Sequence, residues 1–128
     1  MTLTSVDRVA VVLYPELRRL IGLRDQRVWQ FVLRPRDGVI DLVAGVRVWP
    51  QGWTDAIAIA GSDDAKAFRY DPAGGEVWGR EGGLAEVIDG LEELPGPNEP
   101  GAPRLVRGPA RRRLWVPEAA IWTRRSPA

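Results

Sequence analysis

The chain has 128 residues, 45% hydrophobic and 27% charged, which is the composition of one globular domain. It contains neither cysteine nor histidine, and this excludes disulfides, thiolate metal sites and nucleophile–histidine pairs. No run of about 18 apolar residues predicts a transmembrane helix, and no signal peptide is recognisable. We therefore expect a cytoplasmic protein with no metal, no cofactor and no membrane contact. Catalysis is disfavoured, although Asp, Tyr and Arg could still support it.

Charge is unevenly distributed along the chain. Residues 1–52 hold eight bases and five acids, a net +3, whereas residues 53–99 hold three bases and eleven acids, a net −8. Residues 101–128 hold seven bases and one acid, a net +6, which brings the chain to +1. This pattern predicts a basic C-terminal segment that folds back on the acidic body or reaches another acidic surface.

Two segments show helical periodicity. Residues 5–21 carry apolar side chains at spacings of three and four, and Pro15 predicts a kink or a second short helix because it lacks a backbone N–H. Residues 84–94 form the later amphipathic helix, with four acids on its polar side. We expect both helices to pack on one face of a sheet.

Alternating residues and turn-forming residues predict the strands between these helices. They fall at residues 27–34, 39–49, 53–60, 65–70 and, more briefly, 76–79. Gly45 is a candidate β-bulge. The predicted fold is therefore α+β, with an antiparallel meander of four to five strands.

Beyond the core, predicted to span residues 1–94, the composition changes twice. Residues 95–103 form a Pro/Gly-rich linker. Residues 104–128 form a basic segment that we expect to dock on the core. Short edge strands are predicted in that segment at 104–107 and 113–116.

Turn lengths predict which residues share a face of the sheet. A three-residue turn, Pro50-Gln51-Gly52, pairs Trp49 with Trp53 and places Arg47 opposite Asp55. Four-residue turns at 35–38 and 61–64 complete the predicted register. The face that the helices should cover then carries Trp29, Phe31, Leu33, Ile40, Leu42, Ala44, Val46, Val48, Ala56, Ala58 and Ala60.

The opposite face gathers aromatic and charged candidates for a binding site. They are Arg47, Trp49, Trp53, Asp55, Phe68 and Tyr70. Three interpretations stay open: the C-terminal segment covers this face, a protein partner or second copy does, or it lines a small-ligand pocket. In a closed pocket Asp55 could act as base and Tyr70 as acid, with Arg47 anchoring an anion. A cross-strand ion pair is the more common explanation.

The basic segment interleaves cations with aromatic residues, a pattern that could bind nucleic acid. The residues concerned are Arg111, Arg112, Arg113 and Trp115. The order helix, strands, helix resembles that of double-stranded-RNA-binding domains. Those domains place basic residues at the start of the last helix, whereas residues 84–94 contain four acids and no base. Nucleic acid is therefore disfavoured as a partner.

The layout is also similar to small bacterial α+β folds of the toxin-immunity and secretion-chaperone types, a likeness at the level of the fold. The leading hypothesis is a non-catalytic bacterial protein-interaction module, of adaptor, chaperone or immunity type, that uses the aromatic face. The alternative is a small-molecule-binding protein, or a cofactor-free isomerase or cyclase, with a pocket on that face.

Overall fold

A computed structural model describes residues 5–21 and 29–109. Helix α1 (Ser5–Leu13) is followed by a 3₁₀ turn (Pro15–Leu17) and by the short helix α2 (Arg18–Ile21). The predicted interruption at Pro15 is thus confirmed. The remaining elements are β1 (Gln30–Arg36), β2 (Val39–Val48), β3 (Thr54–Gly61), β4 (Asp64–Tyr70), β5 (Gly75–Gly82), α3 (Leu84–Glu93) and β6 (Gly108–Pro109).

The strands form one antiparallel sheet in which sequence order and spatial order coincide, from β1 to β6. This confirms the α+β meander. The bounds differ most in β5, which extends to Gly82 because it pairs along the whole of β4.

Two turns are tighter than predicted, and an irregularity beside each of them shifts the register by one residue. Asp37 and Gly38 alone connect β1 to β2, with φ of 54° and 80°. Positive φ at both positions gives the primed turn whose twist matches that of the strands. Pro35 and Arg36 therefore belong to β1. At the second site only residues 62 and 63 form the turn, with a bulge next to it. The four-residue turns predicted at both places are wrong.

The irregularity beside each turn adds one residue to one strand of the hairpin, and this exchanges side chains between the two faces of the sheet. Phe31 opposes Gly45 instead of Leu42, and Ile57 opposes Ala67 instead of Phe68. The face covered by the helices, called the helix face below, forms one buried cluster with α1, α2 and α3; its strand residues are Trp29, Phe31, Val43, Ile57, Ile59, Ala65 and Ala67. The opposite face, called the second face, carries Leu42, Ala44, Val46, Ala56, Ala58, Phe68 and Tyr70. The predicted assignment of Leu42 and the alanines to the helices is wrong.

Gly45 is not at a bulge, because it pairs regularly with Phe31 and Ile57. A Cβ at this position would lie 2.6 Å from a ring carbon of Phe31 and 3.2 Å from Ile57 Cγ2. The glycine therefore lets the phenyl ring lie across β2. The irregularity in this hairpin lies between Arg34 and Pro35.

Helix α3 is fixed to the sheet and to α2 by polar contacts at its two ends. The Leu84 amide donates to the Ser62 carbonyl at 2.9 Å. At the other end the Arg19 guanidinium donates to Glu92, and to the Asp89 carboxylate at 2.6 Å. These contacts close the helical layer over the helix face.

Residues 95–107 contain neither helix nor strand and run across the end of the sheet that carries the Pro50–Gly52 turn. The Asn98 side chain donates to Gln51 at 3.3 Å, and the Arg107 amide donates to the Glu76 carbonyl at 2.6 Å. The short strand β6 begins at Gly108, so the predicted strand at 104–107 is wrong. The strand predicted at 113–116 lies outside the described residues.

Candidate functional site

The β2–β3 hairpin positions the first two residues of the site. Pro50 begins its turn, and Gln51 and Gly52 adopt φ of 69° and 95°. The Trp49 amide donates to the Trp53 carbonyl at 2.8 Å and closes the hairpin. Arg47 consequently lies opposite Asp55, and the predicted register of this hairpin is confirmed.

Asp55 is the centre of a buried ion cluster formed with Arg47 and Arg69. Its side chain is fully excluded from solvent, as is that of Arg69, and the Arg47 side chain is 14% exposed. The Arg69 Nε donates to Oδ1 at 2.6 Å and its Nη2 donates to Oδ2 at 3.0 Å. Because β3 and β4 pair Asp55 directly with Arg69, the fold itself presents the carboxylate to both guanidinium groups.

Two further groups complete the hydrogen bonding of Asp55 Oδ2. The Arg47 Nε and Nη2 donate to it at 3.1 and 2.8 Å, and the Trp49 indole Nε1 donates at 2.9 Å. The carboxylate thus accepts five hydrogen bonds, whereas two carboxylate oxygens offer about four lone-pair positions. Because the Asp55 side chain is fully buried among these donors, neither a substrate nor a metal ion reaches the carboxylate.

Aromatic rings surround the guanidinium groups. Arg47 Cζ lies 4.8 Å from the ring centre of Trp29 and 4.9 Å from that of Trp49. Arg69 Cζ lies 5.6 Å from the Trp49 ring. Such contacts stabilise a cation that has lost part of its hydration. Since two cations share one carboxylate, the rings help to hold the second positive charge.

Arg69 also connects the cluster to the chain that leaves α3. Its Nη1 donates to the Pro95 carbonyl oxygen at 2.6 Å. A buried guanidinium requires acceptors for its N–H groups, and this carbonyl supplies one that Asp55 cannot. The cluster therefore fixes the path by which residues 95–107 cross the sheet end, which is a positioning role.

The structure separates the six residues predicted to form one face. Arg47, Trp49 and Asp55 come together. Tyr70 opposes Thr54 instead of Asp55, and Phe68 opposes Ala56, so both belong to the second face. The predicted acid–base arrangement of Asp55 and Tyr70 is therefore wrong. It failed because the irregularity between Ile59 and Gly61 shifts the β3–β4 register by one residue.

Trp53 and the basic segment complete the set of predicted site residues. Trp53 is buried outside the cluster, and the Arg104 guanidinium carbon lies 5.7 Å from its ring centre. Arg111, Arg112, Arg113 and Trp115 lie outside the described residues.

Sequence reasoning missed Arg69 and Trp29 as members of the cluster. Trp29 had been assigned to the helix-covered face, and it does lie in the helix-face cluster, next to Arg47. Arg69 carried one usable signal: a basic residue between Phe68 and Tyr70, 14 positions after Asp55. Pairing the two requires the turn at 62–63 together with the one-residue irregularity between Ile59 and Gly61.

Within residues 5–21 and 29–109, no group of three or more acidic, histidine or cysteine residues could hold a metal ion. No helix in this part of the chain is long and apolar enough to cross a membrane. Comparison of the chain with protein-family models, curated proteins and solved structures finds no match.

Proposed function

We propose that the protein is a non-catalytic interaction module that self-associates through the outer side of α1. The observation that carries this proposal is a concentration of exposed apolar side chains on one short helix. Val6, Val9, Val12 and Leu13 are 37, 41, 77 and 43% exposed. They make up half of the large hydrophobic side chains exposed on the described residues.

These four residues form a continuous stripe. At 100° per residue they occupy about a third of the helix circumference, whereas Ala10 and Val11 face the core. A single exposed valine needs no explanation, but a contiguous apolar patch marks an interaction surface. The sequence suggested the aromatic face as the interaction surface. The residues predicted to form that face lie on different faces of the sheet, so the stripe on α1 replaces it in this proposal.

The stripe suits a second copy of the same chain. Val6, Val9 and Leu13 are spaced almost evenly about Val9. An antiparallel copy would place Val9 against Val9 and Val6 against Leu13, as a two-fold interface requires. The helix carries one acid and one base, Asp7 and Arg8, so two copies meet without a net like charge. Nine helical residues supply only part of the roughly 800 Å² per partner of a standard interface, so we expect micromolar affinity.

The geometry does not favour the alternative of a small-molecule enzyme. Asp55 is fully buried among its hydrogen-bond donors, and Tyr70 belongs to the opposite face. A cytoplasmic location remains part of the proposal, because a cysteine-free sequence is compatible with a reducing compartment.

Sedimentation velocity over a range from about 1 µM to about 1 mM tests the proposal. We expect the wild-type chain to dimerise reversibly and Val9→Lys to weaken the dimer at least about tenfold, because a charge would enter an apolar contact. The matched control is Val39→Lys, which changes a valine that is 65% exposed at the start of β2. A wild-type chain that stays monomeric, or equal weakening by both variants, would contradict the proposal.

A further inference from the structure

The second face of the sheet is buried although it carries no helix. Its cluster consists of strand residues only: Leu42, Ala44, Val46, Ala56, Ala58, Phe68 and Tyr70. Phe68 is 2% exposed, and Leu42 and Tyr70 are each 7% exposed. Side chains of this size stand away from a sheet and lose contact with water only where other atoms lie on them. The second face must therefore be covered.

The helices cannot provide this cover. The buried residues of α1, α2 and α3 belong to the cluster on the helix face. Residues 95–107 cover only one end of it. Arg107 Nη2 lies 3.8 Å from the Glu76 carboxylate, and a Cβ at Gly79 would contact both that carboxylate and the Phe68 ring. Their other contacts lie along the turn end of the sheet, at Gln51 and Trp53. The rest of the cover, over residues such as Leu42 and Ala58, has to come from outside residues 5–21 and 29–109.

We propose that residues 110–128 of the same chain cover the second face. The segment starts close to the second face. Pro109 pairs with Gly75 of β5, and β5 follows the turn after Tyr70, the last residue of β4. Residues 22–28, by contrast, connect Leu20 to Trp29, and both of these side chains lie in the helix-face cluster.

The length and composition of residues 110–128 agree with their covering the second face. Nineteen residues in extended form reach about 60 Å, whereas β2, β3 and β4 together span only about 10 Å between their outer axes. The segment also contains enough large apolar side chains to cover the face, namely Leu114, Trp115, Val116, Ile121 and Trp122.

Charge favours the same arrangement. Residues 110–128 hold five arginines and one glutamate, a net +4, and residues 53–99 carry a net −8. Attraction between a basic segment and an acidic body adds to apolar burial. The segment would then be a structural part of the domain, and the second face would not be open to a partner.

Cysteine labelling tests the proposal, because the natural chain has no cysteine. Ala58→Cys places a thiol on the second face, where Ala58 is 4% exposed. Ala60→Cys is the exposed control in the same strand, and Ala67→Cys is the buried control on the helix face. In the full chain we expect Ala58→Cys to react at least about a hundredfold more slowly than Ala60→Cys.

A specific protease site inserted between Pro109 and Ala110 then identifies the cover without refolding a shortened chain. After cleavage and removal of the fragment, Ala58→Cys should react nearly as fast as Ala60→Cys, while Ala67→Cys stays protected. The proposal is overturned if Ala58→Cys is reactive before cleavage, or if it stays protected once the fragment is gone. Protection that depends on protein concentration before cleavage would assign the cover to a second copy.

A cross-link supplies a second measurement if the cut fragment stays bound. Lys66 is the only lysine, and it lies directly opposite Ala58. A photoreactive group attached to Lys66 in the uncut chain should give an intramolecular product with residues 110–128, identified by mass spectrometry. Products confined to residues 1–109, or joining two chains, would overturn the proposal.

Discussion

Two clusters in this protein have the same charged residues, one aspartate between two arginines, and differ in how deeply they are buried. Asp55 lies between Arg47 and Arg69 with its side chain fully buried. Asp41 accepts from Arg34 Nε at 2.9 Å and forms an ion pair with Arg36, whose Nε lies 3.2 Å from Oδ2, and its side chain is 28% exposed.

The comparison shows that burial sets the energetic consequence of a charge cluster. When a contact in the surface cluster is lost, water solvates the exposed charges in its place, so this cluster contributes little to stability. In the buried cluster the charges have given up hydration that only their mutual contacts replace. Removing the carboxylate there leaves two buried cations without a counter-charge.

The largest expected effect comes from Asp55→Asn, which keeps the shape and removes the only negative charge from the buried cluster. Two buried guanidinium groups would remain, and we expect the free energy of unfolding to fall by about 3–5 kcal/mol. Urea unfolding followed by circular dichroism measures the loss. Asp41→Asn is the matched control and should have a much smaller effect. Equal losses in the two variants would show that burial does not decide the cost.

Arg47→Met should have an intermediate effect. It removes two of the five hydrogen bonds to Asp55, but the carboxylate stays neutralised by Arg69. We expect a loss of about 1–2 kcal/mol in the same urea experiment, because only one partly exposed charge is removed. A loss as large as that of Asp55→Asn would mean that Arg69 alone cannot hold the carboxylate.

The smallest effect is expected at Asp41 and concerns pH. Its hydrogen bonds with Arg34 hold the pKa of this carboxyl below its ordinary value of 3.8. A carboxyl whose pKa is lower in the folded than in the unfolded chain stabilises the fold fully above the unfolded value, and that contribution is lost as pH falls through the folded value.

Urea midpoints of the wild-type chain and Asp41→Asn should therefore differ by a small, constant amount at pH 5–7, and the difference should shrink below about pH 4. A difference that persists unchanged to about pH 2 would argue that Asp41 acts through its shape instead of its charge.

The elements could be predicted from the sequence because their signals are local. The spacing of apolar residues in 84–94 and the break at Pro15 need no knowledge of distant residues. The Pro50–Gly52 turn likewise fixed the pairing of Arg47 with Asp55, and therefore half of the buried cluster. Turn residues act over a few positions, so their effect can be read directly.

The faces could not be predicted in the same way. Residues 42–46 and 56–59 are apolar, or glycine, at every position. Either set of alternate residues could therefore face the helices without burying a polar side chain, and the pattern does not fix the register. The choice depended on one extra residue in each outer hairpin, because such an irregularity changes which side chains share a face. The irregularity between Arg34 and Pro35 decided it for β1, and the one between Ile59 and Gly61 decided it for β4.

The sequence by itself therefore determined the helices, the strands and the central hairpin, through periodicity and turn chemistry within a few residues. The tertiary structure alone decided that Arg69 joins Asp55, that Phe68 and Tyr70 lie on the second face, and that α1 exposes an apolar stripe. These outcomes depend on how strands far apart in sequence align when both of their faces are apolar. That alignment is settled only when the helices and the turns pack together.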